Sequence, residues 1–354
     1  MARLTTRNAA IVGVACTVPQ RRVTTEELAV AAGVSAGKIV AMTGIRERRV
    51  AQPEVCSSDL CEDAARRMLD ALGWEPASVE AVVFVSQTPD YPLPATACLL
   101  QNRLGLSKSC AAFDVNQGCS GYIYGLCLSA SLVESGLQRV LLLVGDTTTR
   151  IVSEQDRSSV FLFGDSGTAT AIERKPSDLG FVLGTDGSGA PNLIIPGGQC
   201  RSRSSAATLL RKEMEGGNIR SMEELFMNGA EVMAFTLREV PSLWSALLDY
   251  SGSTVETFDA VLMHQANQFI LDALSKRLGI PKEKAPSSVA EFGNTSCASI
   301  PVTMVANLRE SLSEKSSRLA MLGFGVGWSW AGCAGEIGPL VVPALGEFSA
   351  NPTA

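Results

Sequence analysis

Short, almost purely aliphatic runs separated by longer amphipathic stretches set the strongest limit on how this chain can fold. AAIVGVAC, VEAVVFVSQ, CAAFDVN and QRVLLLVGD are too short and too uniformly apolar for surface helices. Between them, the stretch after Thr24-x-x-Glu27, ATACLLQNRLGL and CSGYIYGLCLSASLVES carry helical spacing or a helix-start signature. Such alternation predicts an α/β protein whose strands are covered on both faces.

The pattern recurs after residue 223. VEAVVFVSQTP (79–89) is similar to FDAVLMHQANQ (258–268), and QRVLLLVGD (138–146) to SRLAMLGFG (317–325), which predicts an internal duplication. The organisation expected is therefore an N-terminal half over 1–174, an insertion or cap loop over 175–222, a C-terminal half over 223–345 and a tail over 346–354. GTDGSGAPNLIIPGGQCRSRSS is the turn-rich centre of the insertion.

Composition narrows the function. No apolar run approaches the roughly 18–20 residues that span a bilayer, and the start of the chain has no secretion-signal character. A net charge of −6 lacks the concentrated basic excess of a general nucleic-acid binder. The ten cysteines are scattered through mostly apolar segments of a 354-residue chain, which points to a reducing cytoplasm. With one histidine and no CxxC pair, a zinc or multi-histidine metal site is not expected.

Three residues stand where strands hand over to helices. In AAFDVNQGCSGYIYGL, Cys119 falls at a predicted helix N-terminus, whose unpaired N–H groups and dipole favour a thiolate. For the other nine cysteines a buried structural role is the expectation. The lone His264 follows the apolar DAVLM and precedes a helical pattern, so it too lies at the C-terminal end of a strand, where α/β sheets build sites. Asn294 stands in the turn of EFGNTSCASIPVTM; taken alone, an Asn there is a common cap. In MLGFGVGWSWAG, residues Gly325, Val326 and Gly327 bring backbone N–H groups within reach of a carbonyl, or simply make a tight turn.

TGIRERR (43–49), FDVNQGCSG (113–121), FGDSGTA (163–169), HQAN (264–267), GNTSCASIP (293–301) and GFGVG (323–327) together resemble the β-ketoacyl-acyl-carrier-protein synthase III family of the thiolase superfamily. The resemblance implies a five-layered α-β-α-β-α fold of two duplicated halves, a homodimer, and a Cys119, His264 and Asn294 triad. It further implies an oxyanion hole from the amides of Cys119 and Val326, and substrate contacts from Arg157, Asn267, Gly229, Phe324 and Leu93. No cofactor is implied; the substrates would be an acyl group on coenzyme A or a carrier protein, and a malonyl-acyl-carrier protein. The thiolase and elongating-synthase relatives need two histidines, which this chain lacks.

Some positions depart from the family pattern. Lys38 and Met42 stand where a Trp and an Arg usually meet coenzyme A, and Phe269 follows HQAN-Gln where an Arg is usual. Leu93 replaces the Phe that closes the partner's acyl pocket. An acyltransferase that does not decarboxylate, and a non-catalytic partner subunit, are the alternative readings.

Overall fold

The computed structural model describes residues 1–349. Eleven strands form its two main sheets: β1 (Ala2–Thr6), β2 (Ala9–Pro19), β3 (Ala81–Val85), β4 (Ala111–Val115), β5 (Arg139–Asp146), β6 (Ser166–Arg174), β7 (Leu179–Thr185), β8 (Ala260–Met263), β9 (Ser317–Gly325), β10 (Ser329–Ile337) and β11 (Gly346–Phe348). The first sheet runs β11-β2-β6-β5-β3-β4 and the second β1-β7-β10-β9-β8.

The two sheets repeat one another. β3 lies parallel beside β5, and β8 lies parallel beside β9, so both sequence pairs occupy equivalent places. β6 and β10 add antiparallel strands in the same positions, as do β2 and β7 beyond them. β4 has no counterpart in the second sheet.

Helices α1 (Ser57–Leu72) and α2 (Thr96–Arg103) cover the outer face of the first sheet, and α4 (Gly229–Ser251) covers the second with α5 (Gln268–Leu278) against it. Between the sheets run α3 (Gly121–Glu134) and α6 (Ser299–Asn307), which gives the expected five layers. These two are apolar nearly all round, as a helix enclosed between two sheets must be. Tyr122, Ile123, Leu126, Ala130 and Val133 of α3, and Ile300, Val302 and Met304 of α6, are buried in one cluster with residues of both sheets. β3 reads AVVFV and is buried at every position, the mark of a covered parallel strand.

The sheets cross the boundaries expected from the sequence. β1, at the start of the first half, pairs with β7 in the second sheet. β7 itself lies within 175–222, so that segment begins as a core strand rather than as an insertion. Gly346–Phe348, assigned to the tail, pairs with β2, while 350–354 lie outside the described residues. In each case the chain crosses over because an open edge is available for hydrogen bonding. Among the described residues no helix is long and apolar enough to cross a membrane.

Candidate active site

The glycine-rich end of β9 meets the start of α3, where a Cβ on Gly323 would lie 2.9 Å from Ser120 Cα, and β8 runs parallel beside β9. Cys119 sits immediately before that helix, with Ser120 as its N-cap, and is buried. Ser120 Oγ bonds Ser329 Oγ at 2.6 Å, fastening the helix start to β10. The end of β9 approaches so closely that a Cβ on Gly325 would lie 2.5 Å from Cys119 Cβ and 2.7 Å from its sulfur. That contact, more than the backbone conformation, is what requires glycine there.

The amides of Val326 and of Cys119 itself hydrogen bond toward the sulfur. Burial dominates all the same and pushes the thiol up to about 11. Desolvation therefore opposes the helix end and the two amides, which favour the thiolate.

His264 extends β8, its amide bonding the Leu322 carbonyl at 2.8 Å. The ring is buried, stands edge-on to Phe324 at 5.6 Å, and holds Ser299 Oγ at 2.8 Å through Nδ1. Burial lowers its pKa to about 3, against a weak opposing pull from the Ser296 carbonyl, so the imidazole is neutral. When the Ser299 hydroxyl donates to Nδ1, the ring proton lies on Nε2.

Asn294 is buried in the turn that precedes α6, its backbone bonded to Leu162 and Gly164. Its Oδ1 accepts the Ser296 N–H at 2.9 Å, which orients the amide and leaves its NH2 as the donor on offer. Ser296 is the one non-glycine among the described residues with positive φ, at 51°, a backbone conformation that accumulates at functional sites. Sequence reading missed Ser296 and Ser299, although both lie inside the GNTSCASIP motif.

The remaining positions spread outward. Phe324 forms the wall behind His264. Asn267 caps α5 through the Ile270 N–H at 2.8 Å, a structural duty the sequence reading did not assign it. Gly229 opens α4 in an exposed position with nothing near it, so no contact joins it to the cluster. Arg157 is exposed and donates to the Ala32 carbonyl at 2.9 Å. Leu93 is 81% exposed on the loop before α2. Of the nine other cysteines, Cys16, Cys61, Cys127, Cys297 and Cys333 are buried, whereas Cys98 and Cys200 are exposed. Among the described residues no His, Cys, Asp and Glu grouping could hold a metal ion.

Residues 113–187 match the profile of 3-oxoacyl-[acyl-carrier-protein] synthase III, and residues 248–337 match that of its C-terminal part. The β-ketoacyl-[acyl-carrier-protein] synthase III of Caldanaerobacter subterraneus subsp. tengcongensis is 34% identical over 327 residues, 91% of this chain and 96% of the relative. The chain belongs to the β-ketoacyl-acyl-carrier-protein synthase III family. Among solved structures, a 3-oxoacyl-(acyl-carrier protein) synthase from Burkholderia xenovorans matches with TM-score 0.92 and 43% identity, covering 98% of this chain and 99% of the other. The synthase III of Thermus thermophilus matches with TM-score 0.80 and 33% identity over 93% of this chain and 99% of that one. The synthase III fold is thus shared over nearly the full described length.

Proposed function

We propose that this synthase III transfers an acyl group from a thioester to Cys119 and condenses it with a malonyl thioester to give a β-ketoacyl product. What supports the reading is a buried thiol at the start of α3 against the end of β9, with a neutral imidazole at the end of the neighbouring β8 and a buried, oriented amide in the turn before α6. The Cys119 sulfur attacks the thioester carbonyl, whose developing oxyanion takes up the N–H groups of Cys119 and Val326, and the thiol proton ends on the released thiol. In the second half-reaction His264 Nε2–H and the Asn294 NH2 bind the malonyl carbonyl. Carbon dioxide departs, and the carbanion attacks the acyl-enzyme and expels the Cys119 sulfur, which is reprotonated. A carboxylate base is unnecessary, because decarboxylation generates the carbanion.

The donor's carrier is coenzyme A or an acyl-carrier protein, without a further cofactor. Met42, 67% exposed, and Phe269, 60% exposed, offer apolar surface where the family usually places arginines, which favours a specialised starter over the common one. In this reading the enzyme is a homodimer in which the exposed Leu93 loop meets the partner.

Intact-mass spectrometry with a panel of acyl-coenzyme A and acyl-carrier-protein donors tests the assignment. Wild type gains one acyl group and Cys119→Ala gains none. His264→Ala and Asn294→Ala keep the adduct but lose carbon dioxide release by about 100-fold or more. Normal product formation by Cys119→Ala would sink it.

A further inference from the structure

Close to the start of α3 lies a buried carboxylate that the condensation chemistry does not use. Asp146, the last residue of β5, is 1% exposed. Its Oδ1 accepts Ser86 Oγ at 2.9 Å, the Gln87 N–H at 2.7 Å, and both the N–H and the hydroxyl of Thr88 at 3.1 Å. Its Oδ2 accepts the Cys297 thiol at 3.2 Å. All five donors are neutral.

Both segments that Asp146 holds press on the nucleophile's turn. Gly118 leaves no room for a Cβ beside the Gln87 side chain, and a Cβ on Gly121 would lie 3.1 Å from that of Cys297. One carboxylate therefore ties the loop after β3 and the Asn294 loop around residues 118–121. The thiols of Cys61, Cys119 and Cys297 are the titratable groups that feel its charge.

A negative charge near a helix N-terminus competes with a thiolate for the same positive end. We propose that Asp146, with Cys297 as its thiol donor, is a positioning residue that braces the Cys119 turn and keeps the sulfur protonated until a thioester seats against it. The inference rests on the reading of Cys119 as nucleophile. The direction of Asp146's influence on that thiol, upward, agrees with it. A site built this way acylates on demand while resisting alkylation and oxidation at rest, because the thiolate is the reactive form.

Iodoacetamide labelling of the full-length protein across pH 6–11, read by mass spectrometry of the Cys119 peptide, tests the proposal. Asp146→Asn keeps an acceptor but removes the charge; its Cys119 should label about tenfold faster at pH 7.5, with the midpoint about one pH unit lower. Cys297→Ala removes a donor and leaves the carboxylate less screened, so labelling should slow several-fold. Unchanged profiles in folded variants, or shifts of both in the same direction, overturn the inference; should Asp146→Asn not fold, an unchanged Cys297→Ala profile overturns it alone. No thioester enters the assay, so this failure is distinct from the missing acyl adduct that would overturn the proposed function.

Discussion

His264 is the only histidine, which makes its proton traceable. Burial holds its pKa at about 3 in the fold against an ordinary 6.5, so below about pH 6.5 the unfolded chain takes up a proton that the native state refuses. Stability is therefore lost as pH falls from 6.5 toward 3, by at most about 1.4 kcal/mol per unit. Asp165 acts with the opposite sign: burial raises it from 3.8 to about 6, so the native state binds its proton first and gains stability as pH falls through that window. The difference between wild type and His264→Gln isolates the imidazole. Between pH 7 and pH 5, urea titrations should show the variant losing about 2 kcal/mol less than wild type; equal losses would refute a buried neutral ring. Cys119, His264 and Asn294 were legible in the sequence because each stands at a strand-to-helix turn marked by small residues. Asp146 and Cys297 were not, since 151 residues separate them and only packing makes them partners.

At the scale of elements, close approach governs the central layer. Gly125 lies inside α3, and a Cβ there would stand 2.7 Å from Val85 Cγ2 and 2.8 Å from Leu142 Cδ1. Gly125→Ala should cost about 1–2 kcal/mol despite alanine's better helix propensity, read as a lower thermal midpoint with the acyl adduct retained. Gly325→Ala should do the reverse, because its Cβ would fall on the Cys119 side chain. There the adduct disappears while the circular dichroism spectrum stays native, and a variant that still acylates contradicts the geometry. Most of the core strands could be read from their aliphatic runs. β7 could not: LGFVLGT is flanked by turn-rich sequence, and its strand character comes from pairing with β10 and β1.

Across the whole molecule the chain termini carry more than their sequences advertise. Arg49, with its side chain only 4% exposed, meets Glu347 of β11 at 2.8 Å and the Pro19 carbonyl at 3.0 Å. Removing one partner of a buried charge leaves the other uncompensated. Glu347→Gln should lower the urea midpoint, and truncation before Gly346 should lower it further, since the strand is lost as well; midpoints equal to wild type would show that β11 is dispensable. The crossing of the ends has a mechanical meaning. The first residues of the chain edge the second sheet and the last described strand edges the first, so each half is strapped by a strand from the far end of the chain. Swinging the halves apart like a clamshell would unzip both straps together, so separation of the two halves is resisted at an edge of each sheet.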